Sequence, residues 1–118
     1  MKYIILIGDE TFTLDSIKAI HHYDSVRNYD VDETRYCVEY STEHIFYDFH
    51  PDIISYYEEF ELLRIPFDNP NFITMVYKTE FRMREILQQD NFIRNFYVDN
   101  DFDLIVPVEE FIRLGMPI

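Results

Sequence analysis

The stretch Arg35-Tyr36-Cys37-Val38-Glu39-Tyr40, continued through Ser41-Thr42-Glu43 into His44-Ile45-Phe46-Tyr47-Asp48-Phe49-His50, decides the fold. Side chains on a strand alternate between faces, so Tyr36, Val38 and Tyr40 share one face and Arg35, Cys37 and Glu39 the other. The second half repeats the pattern, with Ile45, Tyr47 and Phe49 opposing His44, Asp48 and His50. Phe46 interrupts its polar face. Ser41-Thr42-Glu43 between the two halves predicts the turn of an antiparallel hairpin with one buried face.

Upstream, Tyr3 to Ile7 is a short continuous apolar run that ends at Gly8, the pattern of a strand covered on both faces. Thr13 is placed to cap a helix through Leu14, Ile17 and Ile20 or His21. Downstream, Pro51 opens a stripe through Ile53, Tyr57, Phe60 and Leu63 or Arg64 at helical spacing. Pro66, Asn69 and Pro70 form a loop, and Phe72 to Tyr77 has the β-branched and aromatic content of a strand. Thr79 caps a further helix through Met83, Ile86 and Leu87. Asn95–Val98 and Asp103–Val106 are short strands around Asp99-Asn100. Pro107 begins a last helix whose stop signal is Gly115 followed by Pro117. No linker or repeat divides the chain. The expectation is one compact α+β domain over residues 1–118, an antiparallel-dominated mixed sheet packed with about four short helices.

The chain has 118 residues, 10 Lys+Arg and 23 Asp+Glu, for a net charge of −13. Its hydrophobic content of 47% separates it from a disordered acidic tail. Such a charge opposes direct binding to nucleic acid or to anionic membranes, both of which are read with Lys and Arg. Gly8 and Gly115 are its 2 glycines, too few and too far apart for a dinucleotide or phosphate-cradling loop. With 1 cysteine, Cys37, neither an internal disulfide nor a two-thiolate zinc site can form. Turns that need positive φ therefore fall to Asn and Asp. Ile4 to Ile7 is shorter than the apolar region of a signal peptide, and a cytoplasmic location is expected.

No nucleophile sits in a catalytic context, since Ser16, Ser25, Ser41 and Ser55 lack the Gly-x-Ser-x-Gly elbow. The expectation is therefore no enzymatic activity and no cofactor. Asp99, Asp101, Asp103 and Glu110 occupy positions 1, 3, 5 and 12 of a calcium-loop spacing. However, Leu104 stands where the sharp turn needs glycine, and Pro107 stands at position 9. Asp48 and His50 are the other metal candidates, whereas His44 and Asp48 lie roughly 13 Å apart on a strand. A small metal-binding protein or metal-dependent enzyme built on Asp48 and His50, or on Asp99–Glu110, is the alternative reading.

The leading reading is a surface. Tyr29, Asp30, Asp32 and Glu33 precede the hairpin, which adds Glu39, Tyr40, Glu43, His44, Asp48 and His50. Tyrosine anchors protein interfaces, and a single-sign field speeds encounter with an opposite charge. These residues are expected to bind a basic protein partner. In size, charge and lack of catalytic motifs the chain resembles small acidic immunity proteins. That likeness implies an immunity or antitoxin inhibitor occluding a partner such as a nuclease toxin.

Overall fold

A computed structural model describes all residues 1–118. Seven strands form one sheet: β1 (Lys2–Gly8), β2 (Arg27–Asp30), β3 (Arg35–Glu39), β4 (His44–Phe49), β5 (Asn71–Tyr77), β6 (Tyr97–Asp99) and β7 (Ile105–Pro107). Their order is β2-β3-β4-β5-β1-β6-β7. Every pairing is antiparallel, so the α+β expectation holds without any parallel pair. Four short helices accompany the sheet: α1 (Leu14–Lys18), α2 (Glu59–Leu62), α3 (Glu80–Leu87) and α4 (Val108–Arg113).

One face of the sheet carries the main core. Leu14 and Ile17 of α1, Met83, Ile86 and Leu87 of α3, and Val108 and Phe111 of α4 pack on Ile4, Leu6, Val38, Ile45, Tyr47, Ile73 and Met75. Within this core His22 is buried; its Nδ1–H donates to the Ile20 carbonyl at 3.2 Å, and its Nε2 accepts from the Tyr47 hydroxyl at 2.6 Å. Removal from water, which disfavours the charged imidazolium, lowers its pKa to about 4.

The other face is covered only in part. Residues 51–67 cross it as a strap, and Ile53, Tyr57, Leu62, Ile65 and Phe67 pack on Ile5, Ile7, Phe72 and Ile105. That cover accounts for the uninterrupted apolar run of β1, which is buried on both faces between β5 and β6. The strap is not the single helix that its stripe predicts. Ile53–Tyr56 is one 3-10 turn, Tyr57 is extended at φ −86° and ψ 137°, and α2 begins only at Glu59. The interruption turns the Tyr57 side chain onto the sheet, where its ring packs on Phe72.

The turns follow the scarcity of glycine: Asp24, Asp101 and Asp103 all adopt positive φ. Gly115 does so at φ 86°, closing α4 where its stop signal lies, although Met116 beside it is left-handed too. Gly8 has a different role. A Cβ there would lie 2.4 Å from Phe12 Cβ, so only glycine lets the chain leave β1 beneath that ring. β2 has no counterpart in the periodicity reading. All four of its residues are exposed, so no apolar alternation marks it.

Candidate functional site

Beyond the edge of the strap, the second face of β2, β3, β4 and β5 lies open. Strand register arranges it in rows. Tyr29 pairs with Cys37, Cys37 with Phe46, Phe46 with Val76 and Val76 with Tyr3, an apolar and aromatic row across five strands. On one side run Arg27, Glu39 and His44, and on the other Arg35, Asp48 and Thr74. Within the rows the charges are matched. Arg27 Nε donates to Glu39 Oε2 at 2.8 Å, and Arg35 Nε and Nη2 donate to the two Asp48 oxygens at 2.7 and 3.3 Å.

The guanidinium groups also lie on rings, Arg27 4.8 Å from the Tyr29 centroid and Arg35 4.2 Å from that of Phe46. The His44 ring stacks on the same Phe46, with centroids 6.0 Å apart. Beneath this layer Cys37 is fully buried, and burial pushes its thiol pKa upward.

Where the open face meets the strap there is a groove of 480 Å³. Ile5 and Thr74 form part of its lining on the sheet side. Tyr3 stands on the sheet, Tyr56 on the strap, and His50, Pro51, Asp52 and Ile53 complete the lining. The Tyr3 hydroxyl donates to Asp101 Oδ2 at 2.7 Å. The strap, residues 51–67, carries Asp52, Glu58, Glu59 and Glu61 against a single cation, Arg64, whose Nη1 donates to the Asp103 carbonyl at 3.1 Å. None of these four carboxylates enters an ion pair within the chain.

The residues singled out from sequence divide into three groups. Tyr29, Glu39, His44 and Asp48 share the open face, and His50 lines the groove that adjoins it. Asp30 pairs with Lys18 at 2.7 Å, while Asp32 and Glu33 lie exposed in the turn between β2 and β3. Asp32 Oδ1 there accepts the Thr34 backbone N–H at 2.8 Å. Tyr40 and Glu43 are buried and do not belong to any exposed surface. The Arg82 guanidinium covers the Tyr40 ring at 4.0 Å, and Glu43 Oε1 accepts the Thr79 hydroxyl at 2.8 Å. Tyr40 follows β3 on the face of Tyr36 and Val38, which is the core face, so its ring joins the core instead of the rim.

Sequence reasoning did not select Arg27, Arg35, Tyr3 or Tyr56. Phe46 did leave a signal, an aromatic side chain on an otherwise polar strand face. The metal candidates do not converge: no three His, Cys, Asp or Glu side chains surround a point where an ion would sit. Arg35 holds both Asp48 oxygens, and Arg113 pairs with Glu110. Asp99 accepts from Tyr57 and from the Asp101 backbone. No helix is long and apolar enough to cross a membrane. Comparison with protein-family models, with curated proteins and with solved structures finds no match.

Proposed function

We propose that this chain is a non-catalytic acidic binding domain for a basic protein, in its sharpest form an inhibitor that covers the cationic cleft of a nuclease. The observation that supports this reading is an open sheet face with an aromatic row, bordered by a strap whose four carboxylates have no ion-pair partner within the chain. Interfaces draw their binding energy from a few packed aromatic and Arg anchors, and Tyr29, Phe46 and Tyr3 are of that kind. Arg27 and Arg35 are already neutralised by Glu39 and Asp48, so they do not cancel the attraction of the strap for a cation. The net charge of −13 acts at longer range, steering a basic surface into encounter. Occlusion then requires no chemistry from the inhibitor, only shape and charge held in place by the sheet.

The test begins with the immobilised chain and elution of captured proteins along a salt gradient. The eluted basic protein is purified, and its association rate is measured from low to physiological ionic strength. The rate is expected to fall about tenfold or more across that range. Replacing the exposed, unpaired Glu33, Glu58 and Glu59 together by Lys is expected to lower it further. An association rate indifferent to both salt and charge reversal would overturn the reading.

A further inference from the structure

The groove between Tyr3 and Tyr56 is, we infer, the seat of an arginine side chain supplied by that basic partner; the inference rests on the binding function proposed above and assigns its anchor point. A pairing of guanidinium, ring and carboxylate recurs three times in the chain, and the groove holds the same set without its guanidinium. Arg27, Arg35 and Arg82 each lie on an aromatic ring, at 4.8, 4.2 and 4.0 Å. Each also bonds a carboxylate: Glu39 at 2.8 Å, Asp48 at 2.7 Å and Glu85 at 2.6 Å. The groove offers the same two elements, the rings of Tyr3 and Tyr56 and the carboxylate of Asp52, and none of its eight lining residues is Lys or Arg.

Asp52 makes no side-chain hydrogen bond to the turn that it precedes and no ion pair, so its carboxylate is available to a ligand. Asp101, which accepts the Tyr3 hydroxyl, adds a second negative charge at the hydroxyl end of that ring. Tyr3 and Tyr56 are 43% and 82% exposed, so the aromatic surface is presented to solvent and not committed to the core. A planar guanidinium can stack on such rings and reach a carboxylate with its N–H fork, which a compact ammonium does less well. A purely aliphatic side chain could pack on the rings but would offer the Asp52 carboxylate no donor.

The test uses the full chain and a blocked tripeptide, Gly-Arg-Gly, followed by nuclear magnetic resonance. Peptides with citrulline, lysine or leucine in place of arginine serve as comparisons. The arginine peptide is expected to shift the backbone signals of Ile5, Ile53 and Thr74 saturably. The citrulline, lysine and leucine peptides should bind about threefold more weakly or worse. Tyr56→Ala, at a solvent-exposed position, and Asp52→Asn should each weaken the arginine peptide by a similar factor. Equal binding by citrulline, lysine or leucine, shifts confined to residues outside the groove, or unchanged affinity in both variants would overturn the assignment. If the tripeptide fails while association of the basic protein remains sensitive to salt and to Lys at Glu33, Glu58 and Glu59, only the groove assignment falls.

Discussion

Tyr57 donates its hydroxyl hydrogen to Asp99 Oδ2 across 2.5 Å, fastening the strap to β6 through a buried carboxylate. The second Asp99 oxygen accepts the Asp101 backbone N–H at 2.8 Å, so strap, strand and the loop behind Tyr3 meet at one residue. Burial raises the Asp99 pKa above the usual carboxylate value, while these two hydrogen bonds act in the opposite direction.

Removing the Tyr57 hydroxyl is therefore expected to matter most when Asp99 is charged. Tyr57→Phe should cost about 1–3 kcal/mol at neutral pH, the range for depriving a buried acceptor of its donor. In acid, once Asp99 is protonated, the loss should shrink. The wild-type sign follows from the same shift. A raised folded-state pKa means that the native state holds this proton more tightly than the unfolded chain. The Asp99 contribution is thus fullest below the ordinary carboxylate range and is lost as pH rises through its folded value. Urea denaturation of wild type and variant, at neutral pH and in acid, measures both effects. A loss that does not change with pH would show that Asp99 does not titrate as the buried partner of Tyr57.

His22 pulls the other way. Its pKa falls from 6.5 to about 4 on folding, so between those values the unfolded chain takes up a proton that the native state refuses. Stability from this residue is present above the unfolded value and is lost as pH falls toward 4, by about 2 kcal/mol between pH 7 and 5. Unfolding free energies across that interval, compared with those of His22→Gln, isolate the contribution. The variant is expected to be less stable throughout yet flatter in pH. An undiminished slope in the variant would assign the pH dependence to other groups.

The legible part of this fold is the part whose burial is periodic. Alternation in β3 and β4, broken at Phe46, marks a sheet covered on one side, and the unbroken run of β1 marks a strand covered on both. Together they anticipate where the face lies open. β2 escaped because an edge strand with every residue exposed has nothing to alternate. The strap escaped as a helix because its stripe of Ile53, Tyr57, Phe60 and Leu63 does not record that Tyr57 has a partner on Asp99. The acidic residues near the hairpin were visible as composition, but their neutralisation was not. Whether Glu39, Asp48 and Asp30 face solvent free or paired depends on Arg27, Arg35 and Lys18 across strands or from α1. Linear spacing carries no trace of those distances, and so the unpaired carboxylates of the strap emerge only in three dimensions.

Cys37 offers a direct probe of the aromatic row. It is fully buried on the open face, with Tyr29 on one neighbouring strand and Phe46 on the other. Burial raises its thiol pKa, and the thiolate is the reactive form, so the native protein should react slowly with Ellman's reagent. Tyr29 lies on the edge strand and is itself exposed, so Tyr29→Ala should uncover the sulfur with little change in stability and speed labelling about tenfold. If labelling were instead governed by global unfolding, its rate would follow the denaturation midpoint and ignore this substitution. The variant also reports on function. A partner seated across Tyr29, Phe46 and Tyr3 would cover the exposed thiol, and labelling of Tyr29→Ala in the complex should return toward the wild-type rate. Full reactivity in a complex shown to be saturated would place the partner away from this row.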